Sequence, residues 1–492
     1  MPANVLITSD MANWMRVGIP IALQYDLSTS PHTLAGFVND DSGVYQIGAT
    51  EALRTTIDGR AHRRLHFEAV ITDTSTQRNR QVITADAASQ NELITVLNSI
   101  AKQVSPDATS FSTNSTNALE SFTAAAQTSD RKARIQKLRD SISADPRFGL
   151  AYVLLLNTAA AGGEQDLAAA LSQVADRRNS FSALDSARLN ELQARLKHAE
   201  FRQRESAAAA LLKLAPNDID TLAALGSDRF LQGDANGGKR YLERAMQLNP
   251  NNERIRQQLA SGLIETKQYA AAEKLLTNPT DIAVCLLLQG DVARANATMD
   301  KVIASVGNAE LKALFRANWL AISGQMNQAI QTVDAGTFSN PVVKSAALVQ
   351  KSVWAAMMRD FPQARKSAAE AQRLAGTSEL PKIGALLAKA DEPVPEWRRD
   401  VASSGLNAGT TEALLGYGFF LYGHYSEAAA VWQQAVTQSG DTNLRARAML
   451  ASSLDRAGRA DEAHKVLVQP FVPEFGDIYA AVSFNEMRRL LK

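Results

Sequence analysis

Along residues 66–74, "HFEAVITDT", apolar and polar side chains alternate, and they alternate again along 81–87, "QVITADA". A period of two marks half-buried strands, and the polar "STQRNR" between the runs predicts a hairpin. Upstream, "EALRTTIDGR" contains Asp58-Gly59, a pair favoured in tight hairpin turns, shortly before the first of these strands. The period then changes. In "NELITVLNSIAKQV" (91–104), Leu93, Ile94, Val96, Leu97, Ile100 and Val104 share one broad stripe at helical spacing, with Asn91 placed as the N-cap. These elements predict a small α/β domain over residues 1–104. The following "SPDATSFSTNST" (105–116) is rich in Ser, Thr, Asp and Pro and reads as a linker. From 117 onward strand patterns vanish, and Ala- and Leu-rich helical runs alternate with short turns built on Gly, Asp or Asn.

Such punctuation suggests an internal repeat. Pro216 and Pro250 each close a helical run, in "LLKLAPND" and "AMQLNPNN", and lie 250 − 216 = 34 residues apart. Within that unit Leu225-Gly226 falls in a first helix, Gly233-Asp234 makes the turn, and Ala245 is the small residue of a second helix. Small residues at these places let two helices cross closely. Leu259, Tyr269 and Ala272 continue the register, followed by "GDVARA" (290–295), "GQMNQA" (324–329) and "RDFPQA" (359–364). Leu415, Gly416, Gly423, Tyr425, Ala428, Trp432 and Ala435 form the clearest copy, and Leu450, Gly458, Ala463 and Leu467 the next. The spacing is stretched at 164–216, and a helix is shortened at 276–290.

This pattern resembles the tetratricopeptide-repeat (TPR) family over most of residues 117–492. The resemblance implies a mainly α fold: a right-handed α-solenoid of tetratricopeptide helix pairs preceded by the small α/β domain. The last helix, in "EFGDIYAAVSFNEMRRLLK", would cap the stack through Asn485, Arg488, Arg489 and Lys492. The whole layout, with "ATEALRTTIDGRAHRRLHFEAVITDTSTQRNRQVITADAA" before "SISADPRFGLAYVLLL", also resembles bacterial signalling chains that join a TolB-amino-terminal-like module to such repeats. No Gly-rich kinase loop and no helix-turn-helix accompanies it.

Charge narrows the function classes. With 52 Lys and Arg against 51 Asp and Glu, no global field favours nucleic acid or an anionic membrane. The opening "MPANVLITSDMANWMRVGIPIALQYD" lacks a basic start and a continuous apolar core, and no stretch approaches the ~20 apolar residues of a membrane span. As written, the chain is expected in the cytoplasm, or in the periplasm if a signal segment precedes it. Its single cysteine, Cys285, sits in the apolar run "DIAVCLLL" and reads as core.

Catalytic patterns are missing. The 6 histidines are scattered, "HRRLH" (62–66) reads as a solvated basic turn or strand edge, and no Gly-x-Ser-x-Gly elbow occurs. The loop "GDANGGKR" (233–240) places Gly233, Gly238 and Lys239 as a phosphate loop would, but Arg240 stands where Ser or Thr must hold magnesium, and a helix precedes it instead of a strand. A non-enzymatic protein, with no cofactor and no metal, is therefore expected.

In a TPR array, function lies in the groove lined by the first helix of each pair. By that analogy the groove includes Asp220, Ser227, Arg254, Gln257 and Ser261, with Tyr417 and Phe420 near the C-terminus as aromatic anchors for a protein or peptide partner. Packing between repeats is the alternative role for both aromatics. The other functional expectation is a regulatory component of a bacterial signalling system, whose α/β module binds a small ligand.

Overall fold

The computed structural model describes residues 1–6, 13–38, 40–59, 64–162, 164–177, 180–197, 199–375, 378–439 and 443–491. Four strands, β1 (Asn4–Leu6), β2 (Glu51–Asp58), β3 (Leu65–Asp73) and β4 (Asn79–Ala87), form a sheet in the order β1-β2-β3-β4. β1 runs parallel to β2, and the other neighbours are antiparallel. The alternation read in the sequence is the hairpin β3–β4, with Leu65, Phe67, Ala69 and Ile71 of β3 buried. Its turn is organised by Asp73, whose carboxylate accepts from the Ser75 and Thr76 N–H groups at 3.0 and 2.9 Å. Asp58-Gly59 does not make a two-residue turn, because Asp58 pairs with His66 and the connection is longer. Residues 60–63, including His62 of the "HRRLH" stretch, lie outside the described residues.

The N-terminal segment is tied down by a proline. Pro20 lies inside the helix Met15–Leu27 and has no N–H to offer the carbonyl one turn back. That carbonyl, on Arg16, accepts instead from the Ala3 N–H at 2.8 Å, which holds the approach to β1 against the helix. The helix Leu93–Val104 buries Leu93, Ile94, Val96, Leu97 and Ile100 as its stripe predicts. Asn91 is not its cap. A 3₁₀ turn, Gln90–Glu92, precedes the helix, and the Glu92 carboxylate accepts from the Ala88 N–H at 2.8 Å. Residues 105–115 have no helix or strand, yet Phe111 is buried there edge-on to Tyr25 and Phe148, at 5.2 and 5.4 Å. One buried cluster includes Phe67 of the sheet, Leu97, Phe122 and Tyr152, and extends to Leu192 and Leu211.

The chain divides into two compact units, one of Met1–Asp228 with Arg240–Ile255, the other of Arg229–Lys239 with Arg256–Lys492. Helix pairs dominate beyond the sheet. The pair Ile219–Leu231 and Ala235–Leu248 is followed by Glu253–Glu265 and Tyr269–Glu273, so first and second helices both recur after 253 − 219 = 269 − 235 = 34 residues. Later pairs are Pro279–Gln289 with Val292–Ser305, Ala309–Ile322 with Met326–Ala335, and Pro341–Met357 with Phe361–Ala375. Ala408–Tyr422 with Tyr425–Ser439 and Leu444–Arg456 with Ala460–Ala463 follow.

A left-handed residue stands between the two helices of each of these pairs: Gly233, Lys267, Gly290, Gly324, Arg359, Gly423 and Gly458, all at φ between 62° and 95°. That conformation ends one helix and reverses the chain into the next. The rhythm breaks with 290 − 267 = 23 across the short helix Tyr269–Glu273, just ahead of residues 276–290, where the sequence placed the shortened helix and where Pro279–Gln289 runs for 11 residues. The stretched spacing at 164–216 is filled by helices Glu164–Asp176, Ala183–Leu196 and Phe201–Leu214.

Candidate functional site

The loop at 233–240 already supplies its own anion. Asp234 accepts from the Gly237 N–H at 2.9 Å, so a carboxylate of the chain occupies the helix N-terminus a phosphate would need. Gly238 serves packing: a Cβ there would lie 2.5 Å from the Phe230 ring, and one on Gly262 only 2.1 Å from the same ring. Phe230 is fully buried between them. The glycines let the helix backbones approach an aromatic side chain.

Asp220, Arg254, Gln257 and Ser261 are exposed, and Ser227 is half-buried. Arg254 is ion-paired with Asp220 from the preceding first helix. Both side chains are more than half exposed, so screening leaves this pair little energetic weight. Tyr417 and Phe420 correct the sequence expectation, being buried at 1% and 6% exposure. Phe420 packs edge-on to Tyr425 at 5.6 Å, with the Arg456 guanidinium 5.5 Å above its ring. Tyr417 meets Trp432 of the paired helix at 4.9 Å and stacks on Tyr479 at 4.0 Å with ring planes 10° apart.

Tyr479 belongs to the C-terminal segment, whose course the sequence did not disclose. After Ala463 the chain runs without a strand or regular helix to Ala480–Leu490, the last helix. That helix packs on Ala309–Ile322, Pro341–Met357 and Leu444–Arg456, all first helices of their pairs. Val482, Phe484 and Met487 are fully buried, and Asn485 donates to the Ala321 carbonyl at 3.0 Å. Asn485 therefore faces another helix, instead of forming part of an exposed polar cap. Ahead of the helix, Phe475 stacks on Trp319 at 6.3 Å, and Asp477 is ion-paired with Arg445.

A charged group sits at the centre of this contact. The Glu486 carboxylate accepts from the Ser452 hydroxyl and the Arg456 guanidinium, each at 2.6 Å, and from Arg489 at 2.8 Å. Burial pushes its pKa up, but these hydrogen bonds and the Arg456 charge outweigh burial and hold it below the ordinary glutamate value. Arg489 also donates to Asp455 at 2.8 Å. A sequence signal for the covered face did exist. Residues 446–454 and 416–421 are buried without interruption, and the second run, "GYGFFL", lacks the polar face of a half-exposed helix.

The N-terminal unit holds a cavity of about 260 Å³. Leu23 and Leu27 of the helix Met15–Leu27, Leu34 and Phe37 after it, and Leu53 of β2 form apolar walls, with Gln24, His32 and Thr55 among the polar lining. Gln24 donates to the Ala35 carbonyl at 3.3 Å, which ties the helix Met15–Leu27 to the 33–38 segment that lines the cavity. Elsewhere, Cys285 is buried, its thiol pushed up in pKa by burial and donating to the Tyr269 carbonyl at 3.3 Å. Among the described residues no group of His, Cys, Asp and Glu is arranged to hold a metal, and no helix is long and apolar enough to cross a membrane.

Residues 229–278 match the family model described as "Tetratricopeptide repeat". No curated protein matches the chain in sequence. Similar solved structures include the TPR domain of P58(IPK), at 14% identity over 75% of this chain and 93% of that one, with a TM-score of 0.19. The APC/C hetero-tetramer Cut9–Hcn1 is 12% identical over 81% of this chain and 82% of that one, TM-score 0.30. The human IFIT1 dimer with m7Gppp-AAAA is 14% identical over 77% and 94%, TM-score 0.29. Superpositions this loose carry no argument about binding. The family match and the recurring helix pairs together make this a helical-repeat protein with a tetratricopeptide repeat at residues 229–278, preceded by a four-stranded sheet.

Proposed function

We propose that the chain is a non-enzymatic scaffold that holds a segment of a partner protein on the face formed by the first helices of its repeats. One observation carries this reading: first helices of the second unit pack against an irregular stretch followed by a helix, residues 464–490 of the same chain. A preformed helical surface binds such a segment at low ordering cost, with aromatic side chains as anchors. In the second unit Gln257 and Ser261, exposed along the helix Glu253–Glu265, would add polar contacts, and in the first unit Asp220, Ser227 and Arg254 would offer polar contacts of their own. The test is selection of displayed peptides on the full chain, followed by photo-crosslinking from the selected sequences. Crosslinks on first helices are expected; crosslinks confined to second helices or to the sheet would sink the reading.

The cavity favours a second role. The N-terminal unit, with its resemblance to the TolB-amino-terminal-like module, would hold a small, largely apolar ligand and so act as the sensor of a signalling system. A ligand that raises the melting temperature of the parent should fail to do so in Ala35→Phe, which fills the cavity. An equal shift in both would place the ligand elsewhere.

A further inference from the structure

We infer that residues 464–491 are a latch: a ligand in cis that fills the first-helix face of the second unit and is displaced by a partner segment of the same chemistry. That chemistry is an irregular, Phe-bearing stretch leading into an amphipathic helix with a carboxylate at its centre. The inference rests on the scaffold reading and names the partner class and the regulation of that same face.

The C-terminal segment makes the contacts of a bound peptide. In a repeat array each helix packs mainly on its neighbours in sequence. The helix Ala480–Leu490 packs on the nearby Leu444–Arg456 and, beyond it, reaches back to Ala309–Ile322 and Pro341–Met357. Among the described residues no backbone–backbone hydrogen bond involves Leu467 to Pro473, and Pro470 and Pro473 have no N–H to give. Side chains hold it: Gln469 donates to the Phe230 carbonyl at 2.7 Å, Phe475 stacks on Trp319, and Tyr479 stacks on Tyr417. An irregular stretch held this way can leave without breaking any ladder of main-chain bonds.

Glu486 points the same way. Its carboxylate is buried while Arg456 and Arg489 remain about a third exposed, so the desolvation cost falls on the acid, and a helix buried permanently would be as stable, or more so, with an apolar residue in its place. What the carboxylate between Arg456 and Arg489 does provide is register and selectivity, since a competing segment lacking an acid there would leave Arg456 without its buried acceptor. A partner that fits therefore carries Asp or Glu in the corresponding turn.

Two measurements test the latch. In native-state hydrogen exchange on the unmodified chain, the amides of Ala480–Leu490 should exchange as a group at least ten times faster than those of Ala309–Ile322 and Pro341–Met357. Exchange of all three helices at one common rate would make the last helix an integral core element and overturn the inference. In the second measurement, a fluorescent peptide of residues 464–491 is titrated into the full chain and into a full chain carrying Tyr479→Ala and Glu486→Ala. At least tenfold tighter binding to the variant is expected; equal affinity, or binding only where the chain dimerises by exchanging tails, overturns it. If the variant does not fold, the exchange experiment decides alone. Failure here leaves the scaffold reading intact, because its crosslinks are mapped with unrelated peptides.

Discussion

Replacing Asp26 with Asn should flatten the pH dependence of the N-terminal unit's stability and raise that stability at neutral pH. Asp26 lies on the helix Met15–Leu27 at 0% exposure, and neither carboxyl oxygen has a hydrogen-bond partner among the described residues. Burial pushes its pKa up to about 8, offset only in part by the charge of Lys102. The unfolded chain releases this proton near the ordinary value of about 3.9. Between the two values the folded chain holds a proton the unfolded chain has lost, so the sign is fixed. Stability is complete below about pH 3.9, falls as pH rises, and stops falling above about pH 8. At about 1.4 kcal/mol per unit, the loss between pH 5 and pH 8 comes to roughly 4 kcal/mol, a large part of a typical domain's 5–15 kcal/mol. Asn keeps the polar group and removes the titration. Urea unfolding read by fluorine NMR at 5-fluorotryptophan-labelled Trp14, a buried reporter in the same unit, isolates this transition from the other unit. The parent should lose about 4 kcal/mol over that interval and Asp26→Asn less than about 1 kcal/mol. Parallel pH profiles would show that Asp26 is ionised or solvated in the folded chain, and the reasoning would fall.

Three further outcomes follow from the contacts of the second unit. Gly238→Val should cost about 1–3 kcal/mol, because its Cβ meets the buried Phe230 ring, while magnesium-ATP should leave the parent's melting temperature unchanged; a nucleotide-dependent shift would revive the phosphate-loop reading. Tyr417→Ala should cost about 3–5 kcal/mol in urea unfolding by losing its stacks on Tyr479 and Trp432; an unchanged midpoint would mean the ring is not packed as described. The depressed pKa of Glu486 contributes stability present above the ordinary glutamate value and lost as pH falls through the folded one. Amide exchange in Ala480–Leu490, corrected for its intrinsic pH dependence, should therefore gain relative to neighbouring helices below about pH 4 in the parent and not in Glu486→Gln.

What could be read from the sequence was what depends on near neighbours. The β3–β4 hairpin announced itself because alternation reports a strand with one wet face, and the helix pairs did because each turn needs a left-handed residue at a fixed offset. Even the exceptions, Lys267 and Arg359, keep the offset and change only the residue. Asn91 was misplaced as a cap because a 3₁₀ turn shifted the helix start. The aromatic anchors failed for another reason. Periodicity tells that Tyr417 has a buried side, but the residue that closes its other side, Tyr479, comes from a segment of irregular backbone with no period at all. Only the absence of a polar face on "GYGFFL" hinted that something must lie there.

That covering sets the terms on which any partner competes. A tail joined to its own groove by a short connection acts at an effective concentration on the order of millimolar. If the tail segment bound in trans with a dissociation constant of about a micromolar, a partner of equal intrinsic affinity would appear about a thousandfold weaker against the latched chain. Weak apparent binding is then what the resting chain should show, and strong binding requires loss of the tail's own anchors. Glu486 is the most economical place for such a loss, because neutralising one buried carboxylate removes the charged acceptor that Ser452, Arg456 and Arg489 share, whereas removing Phe475 or Tyr479 subtracts only area. A partner bearing its own acid in that turn supplies what the released tail no longer does, so the feature that makes the latch releasable is also the one that selects what replaces it.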